Sequence, residues 1–263
     1  MERIISKDGI PIAYERRGKG TPLVLIHGAA ADHTRWKSIL PELKKHFTVY
    51  AIDRRGRGES GDAESYTLES EYDDVVAVVD SIPGPVNLLG HSYGAICSLE
   101  ASLKTSNLRK LILYEPPIPT DVKRNYPPDA LDRMNSYLHA GEREEALLIF
   151  LQEIAGIPQN EIHLLSSLPS WSSRVATAHT IPREETSAAS YILKPQRLSQ
   201  METPTLLLLG GDSPSFYRAA IETLKESIPN SSISMMPGQR HAAMETAPKL
   251  FLNEVIGFLM GKK

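Results

Sequence analysis

The stretch Val86-Asn87-Leu88-Leu89-Gly90-His91-Ser92-Tyr93-Gly94-Ala95 decides the fold. Val86–Leu89 reads as a short strand and Ala95–Lys104 as a helix, with Gly-x-Ser-x-Gly between them. A serine in that context sits on a sharp strand-to-helix turn, its oxygen standing clear at the end of a sheet. Glycines two positions to either side let neighbouring backbone approach where a Cβ would clash. The helix start behind the serine presents unpaired N–H groups and a positive dipole end. A bare Gly/Ser turn would show the same five letters, so the weight rests on the strand before it and the helix after it.

Upstream, the same alternation recurs. Glu2–Ser6 and Ile10–Arg17 read as a hairpin turning at Asp8-Gly9. Leu23–Ile26 and Phe47–Ile52 are continuous apolar runs, as expected of strands buried on both faces. The first ends in His27-Gly28-Ala29-Ala30-Ala31 and leads into a helix over Thr34–Lys45, with Trp36, Ile39, Leu40 and Leu43 on one face. The second ends in Asp53-Arg54-Arg55-Gly56-Arg57-Gly58-Glu59-Ser60-Gly61. Gly56-x-Gly58-x-x-Gly61 matches the dinucleotide fingerprint, but that fingerprint requires the glycines to open a helix directly. Polar residues Asp62–Thr67 intervene, so nucleotide binding is not expected, and the arginines read as local ion pairs bracing the loop. A helix over Leu68–Ser81 turns Tyr72, Val75, Val76 and Val79 inward and stops at Pro83-Gly84-Pro85. Leu108–Tyr114 is another buried strand, ending in Glu115-Pro116-Pro117. Strands alternating with helices predict an α/β fold, a mostly parallel central sheet with helices on both faces.

The rhythm changes after Pro117. Helical stretches follow over Asp129–Ala140, Glu142–Ala155, Asn160–Leu168 and Arg183–Leu193, punctuated by prolines and with no buried strand. Residues 118–199 therefore read as an inserted helical cap, and 1–117 with 200–263 as the core. Alternation then resumes: a strand over Thr205–Leu209 ending in Gly210-Gly211-Asp212-Ser213-Pro214, a helix over Phe216–Ser227, and a strand over Ser231–Met236. Pro237-Gly238-Gln239-Arg240-His241 leads into a final helix through Met260.

Composition narrows the function. A chain of 263 residues suits one large domain or a core with an insertion. A net charge of −3 gives no electrostatic case for nucleic acid or an anionic membrane, and no apolar run approaches membrane-spanning length. The single cysteine, Cys97, excludes an internal disulfide and reads as a small buried side chain in a reducing compartment. Met1–Pro11 is charged and lacks the apolar segment of a secretory signal, so a cytoplasmic location is expected. No histidine pair has zinc-site spacing, and no metal or organic cofactor is expected.

Five signatures in order carry a resemblance: His27-Gly28-Ala29, Asp53-x-Arg55-Gly56-x-Gly58-x-Ser60, Gly90-His91-Ser92-Tyr93-Gly94, Thr205–Pro214 and Pro237-Gly238-x-x-His241. Together they resemble the α/β-hydrolase fold family over nearly the whole chain outside the cap. A serine hydroxyl needs a base to be nucleophilic at neutral pH. Of the eight histidines, His241 is the candidate, downstream of the elbow, on a loop and in the family's position. The oxyanion donors are expected to be the backbone N–H groups of Tyr93 and Ala29. His91 and His27 read as structural, and the other histidines carry no signal. The resemblance usually puts the acid three residues after Gly210, where this chain has Ser213; Asp212 is one position short. A branch that includes the haloalkane dehalogenases puts it after the preceding core strand, where Glu115 stands. Glu115 is favoured and Asp212 is the alternative.

The expected activity is that of a serine hydrolase acting on a small uncharged ester, lactone or related acyl compound through an acyl-enzyme. The resemblance leaves room for a cofactor-free haloperoxidase-like perhydrolase and for a carbon–carbon bond hydrolase. A non-catalytic small-ligand receptor is the alternative from another class. The only expected partner is a small-molecule substrate. Met134, Tyr137, Leu147, Phe150, Leu151, Leu164, Leu168 and Trp171 are candidates for an apolar substrate pocket and equally for ordinary helix packing.

Overall fold

The computed structural model describes residues 1–261. Its strands are β1 (Glu2–Ile5), β2 (Pro11–Arg17), β3 (Thr21–Ile26), β4 (Phe47–Ile52), β5 (Val86–His91), β6 (Leu108–Tyr114), β7 (Thr205–Gly210) and β8 (Ser231–Met236). They form one sheet in the order β1-β2-β4-β3-β5-β6-β7-β8. The β1–β2 and β2–β4 pairs are antiparallel and the rest parallel. From β3 the chain goes outward to β4, then crosses back to place β5 on the other flank of β3. That reversal opens a crevice at the carboxyl ends of β3 and β5, where open α/β sheets hold ligands.

Helices cover both faces. On one lie α2 (Leu68–Ser81), α3 (Tyr93–Ser102) and α10 (Ser215–Ser227), packing Val75, Ile96 and Leu224 against Val24, Leu88 and Leu207. The other carries α1 (Leu40–Leu43) and α12 (Pro248–Met260), packing Leu43, Phe251 and Val255 against Leu25, Val49 and Leu208. Between β6 and β7 the described chain is helical, with α4 (Ala130–His139), α5 (Arg143–Ile149), α6 (Gln159–Ser166), α7 (Trp171–Ala176), α8 (Ile181–Ala189) and α9 (Pro195–Leu198). This insertion has its own apolar cluster around Met134, Leu147, Phe150 and Ile162, which also takes in Ala30 and Ala242 from the sheet side.

Several element boundaries differ from the sequence expectation. The helix expected over Thr34–Lys45 is split into a 3₁₀ turn over His33–Trp36 and the short α1. Pro41 has no N–H to donate and its ring crowds the preceding turn, so one helix cannot run through it. In α2 the inward residue is Val78, fully buried, rather than Val76, which is only half-buried. The expected helix over Glu142–Ala155 becomes a π-helix at Phe150–Ile154, where Ala155 N–H donates to the Phe150 carbonyl. The expected final helix is interrupted at Ala247 before Pro248 into α11 (Ala243–Thr246) and α12.

Candidate active site

Ser92 joins β5 to α3 at φ 56° and ψ −125°, a left-handed conformation that costs a non-glycine residue strain. Backbone contacts hold it there: Ser92 N–H donates to the Tyr114 carbonyl at 2.8 Å and Ser92 O accepts from Ala95 N–H. The flanking glycines are needed for close approach. A Cβ on Gly90 would lie 2.4 Å from Ser98 Oγ and 2.5 Å from Gly94 O, and one on Gly94 2.3 Å from His27 O. The turn therefore presses against the loop after β3, which brings Ala29 beside Ser92. Tyr93 opens α3, so its N–H has no acceptor within that helix.

His241 lies on the loop between β8 and α11, with its ring mostly buried. Its Nδ1 is 2.6 Å from Glu115 Oε2, and the other carboxylate oxygen accepts from Gly210 N–H at 2.7 Å. Nδ1–H thus donates to a carboxylate, and Nε2 is left with a lone pair. Glu115 follows β6, is fully buried and has φ 47°. Asp212 is exposed and its backbone N–H donates to Gln239 O, while Ser213 Oγ is buried without a partner. The carboxylate on His241 is therefore that of Glu115, and Asp212 stands apart.

Two further rings frame the imidazole. Tyr217 from α10 stacks on His241 with ring centroids 4.5 Å apart, and its hydroxyl lies 3.3 Å from Nε2. His91 Nε2–H donates to the His241 carbonyl at 2.8 Å. Burial, with the neighbouring His241 as a smaller cause, holds the His91 imidazole well below its ordinary range, so this ring is neutral and structural. Among the described residues Ser92 Oγ makes no hydrogen bond.

Ser92, His241, Ala29 and Tyr93 line one narrow cavity, whose open volume is about 30 Å³. Phe150 and Leu151, on the π-helix, and Leu165 supply apolar wall. Of the other apolar candidates, Met134 and Leu147 are buried inside the insertion, while Tyr137 and Leu164 face outward. Trp171 lies outside the wall and donates from Nε1 to Glu144.

The Alpha/beta hydrolase family matches residues 23–254. The chain belongs to the α/β-hydrolase family. A solved α/β hydrolase from Sphaerobacter thermophilus DSM 20745 is 34% identical, with a TM-score of 0.81, covering 95% of this chain and all of that one. An esterase from Rhodococcus sp. ECU1013 is 25% identical with a TM-score of 0.78 over 98% of both chains. Among curated relatives, 2-(acetamidomethylene)succinate hydrolase of Mesorhizobium japonicum is 24% identical over 98% of this chain and 95% of its own. This α/β-hydrolase is an enzyme whose relatives are named as hydrolases and esterases.

The arginine loop of the hydrolase reaches further than its sequence suggests. Arg55 grips Asp74 with two contacts of 2.7 Å, and Arg54 grips Glu71 at 2.6 and 3.0 Å. Arg54 and Arg57 also both meet Glu184 on α8 of the insertion, so these ion pairs are not only local. Gly56, Gly58 and Gly61 precede α2 by an irregular stretch and open no helix. Burial pushes the Cys97 thiol far up, leaving it protonated and a poor nucleophile. Sequence reasoning missed Tyr217 and three arginines in the cavity wall, Arg35, Arg124 and Arg174. Arg174 lies one helical turn beyond Trp171, and a lone cation in an apolar-faced helix was the available signal.

Proposed function

We propose that this α/β-hydrolase is a serine hydrolase that cleaves an acyl compound, an ester or lactone first of all, through an acyl-enzyme. Ser92 Oγ attacks the carbonyl carbon while His241 Nε2 takes its proton and later gives it to the leaving group. Glu115 holds the imidazole in the tautomer with Nε2 free and stabilises the imidazolium that forms. The N–H groups of Ala29 and Tyr93 meet the developing oxyanion, each worth roughly 3 kcal/mol in the transition state. Water then attacks the acyl-enzyme with His241 as base, releasing the acid and freeing Ser92.

The observation that supports this reading is the shared cavity: a strained Ser92 opposite a histidine whose far nitrogen is held by a buried carboxylate. We read the helical insertion over 118–199 as a cap, because its Phe150 and Leu151 wall the cavity that holds Ser92. A second reading keeps the same residues but breaks an amide or carbon–carbon bond. Its amide form is favoured by the Mesorhizobium relative, whose name places an acetamido group in its substrate.

The test is turnover of a chain-length series of 4-nitrophenyl esters by the natural protein and Ser92→Ala, with fluorophosphonate labelling located by mass spectrometry. Turnover lost in Ser92→Ala, and a label on Ser92, are expected. Ester turnover that survives Ser92→Ala would remove the serine from the mechanism.

A further inference from the structure

One end of the Ser92 cavity is built of arginine. Arg35 and Arg174 both line it and are only 5% and 3% exposed. A single carboxylate serves them both: Glu245 Oε2 lies 3.1 Å from an Nη of Arg35 and 2.6 Å from an Nη of Arg174. The other oxygen of Glu245 accepts from Ser170 Oγ at 3.1 Å. Among the described residues no other acidic group pairs with either guanidinium, and the Nε–H of each is buried without an acceptor.

Of the other charges nearby, Arg124 and Glu185 cancel, Glu115 is paired with a neutral imidazole, and the pKa of half-buried Glu161 is raised by burial and, less, by Glu115 and Glu245. Arg124 is matched by Glu185 at 2.8 Å and gives a second hydrogen bond to the Ile154 carbonyl. Glu115 is held between His241 and Gly210 N–H. At the Arg35–Arg174–Glu245 cluster itself two buried cations share one anion, a local arrangement that a second anion would complete. A planar guanidinium with spare N–H donors suits a carboxylate in particular, since the two meet fork to fork.

From this we infer that Arg35 and Arg174 dock a carboxylate carried by the substrate whose acyl carbon Ser92 attacks. The inference rests on the serine hydrolase reading for the attack, and on the arginine cluster alone for the carboxylate. It replaces the expectation of an uncharged substrate. The three members of the cluster come from the segments around the reacting groups. Arg35 follows the Ala29 loop, Glu245 lies on α11 four residues after His241, and Arg174 belongs to α7 of the insertion. A bound carboxylate would therefore bridge core and insertion at the site itself. The apolar wall of Phe150, Leu151 and Leu165 suits a short hydrocarbon link between that carboxylate and the scissile carbonyl. The substrate class is a mono-acyl derivative of a small dicarboxylic acid.

The test pairs 4-nitrophenyl hydrogen glutarate with 4-nitrophenyl 5-methylhexanoate, whose branched end has the shape of a carboxylate without its charge. The natural protein should favour the glutarate ester in kcat/KM by at least about 10-fold, the span of a charge-assisted contact. Arg174→Gln should collapse that ratio, chiefly through KM, and Arg174→Lys should restore part of it. Free glutarate should bind Ser92→Ala in calorimetry and fail to bind the Ser92→Ala/Arg174→Gln double variant. The calorimetry needs no turnover, so it tests the arginine site even if Ser92 proves not to be the nucleophile. If Arg174→Gln does not fold, the natural protein's ratio and glutarate binding to Ser92→Ala decide. No preference for the glutarate ester together with no glutarate binding would overturn the inference, and so would a ratio unmoved by a folded Arg174→Gln. The cluster would then be a strut between core and insertion.

Discussion

Glu115 and His241 are joined at 2.6 Å, and the same carboxylate takes the Gly210 N–H at 2.7 Å through its other oxygen. One acid thus ties the end of β6 to the end of β7 and to the loop after β8. Both its oxygens are spoken for, which fixes the imidazole's orientation as well as its tautomer. Replacing the carboxylate by an amide would keep the shape and remove the acceptor that selects Nδ1–H. Glu115→Gln should therefore lower kcat by about 10⁴, the scale known for the equivalent change in a serine protease. Asp212→Asn, on an exposed side chain, should stay within about 2-fold, since surface changes away from such features do little. Steady-state kinetics on one ester settles it; the reverse ranking would mean that the late loop rearranges to present Asp212.

Tyr217 would compete for the proposed base. Its hydroxyl stands 3.3 Å from the Nε2 of His241 that Ser92 would use in the proposed mechanism, while Ser92 Oγ has no hydrogen-bond partner among the described residues. Burial pushes the phenol far up, so the hydroxyl keeps its proton and can only donate to that nitrogen. A hydrogen bond of this kind is worth about 0.5–1 kcal/mol net. Tyr217→Phe keeps the stacked ring and removes the competitor, and kcat/KM should rise about 2- to 5-fold on that scale. A drop of tenfold or more would show instead that the hydroxyl takes part in the reaction.

The legible part of this molecule is the part with local rules. Gly90 and Gly94 sit where a Cβ would meet backbone at under 3 Å, so the sequence must spell the elbow with glycine. The parallel strands announce themselves because burial on both faces leaves runs such as Leu23–Ile26 without polar interruption. Glu115 was legible only as one of two candidates, because the choice depends on how the loop after β7 meets the end of β6. Arg35, Arg174 and Glu245 were not legible. In a sequence they resemble surface charges, and their meeting is set by segments far apart in the chain. Within helices the errors were of phase: Leu165 lines the cavity where Leu164 was named, because the exact start of α6 sets which leucine points inward.

The ion-pair cluster beside α8 yields a stability prediction. Arg54, Arg57, Glu71 and Glu184 are all but unexposed, and Glu184 meets both arginines. Removing one carboxylate from a buried set strands charge without solvent, at a cost of about 3–5 kcal/mol. Glu184→Gln should lower the unfolding free energy by that amount, measured from the urea midpoint at constant slope. A loss below about 1 kcal/mol, the range of exposed pairs, would show that water reaches the cluster.

Acid sensitivity should come chiefly from two fully buried histidines outside the proposed proton relay, with a smaller part from His179, which burial also lowers. His27 is fully buried, its Nδ1–H donating to Gly28 O at 2.8 Å and its Nε2 accepting from Arg54 N–H at 3.1 Å. Burial first, then the charges of Arg54 and Arg57, hold it well below the ordinary histidine range; burial and His241 do the same for His91. Depressed values mean that the unfolded chain takes up protons near pH 6.5 that the native protein refuses. Stability should be complete above that pH and fall below it, by up to about 2.7 kcal/mol per pH unit for two such groups. His33 has the opposite sign. Burial, the largest single cause, opposes its charging, but the hydrogen bond it donates to Asp53 and the charges of Asp53, Asp32 and Glu15 together outweigh burial and raise its pKa, so its contribution is full below pH 6.5 and fades as pH rises through the raised value. Glu185 and Asp74, raised by burial, also oppose the acid loss, nearer the carboxylate range. The clean window is therefore about pH 5.5–6.5, just below the unfolded histidine value. Urea midpoints across it should fall steadily, and His91→Gln should lower the slope by up to half. A flat profile, or a slope that His91→Gln leaves unchanged, would mean that these rings reach water and take up protons in the folded protein.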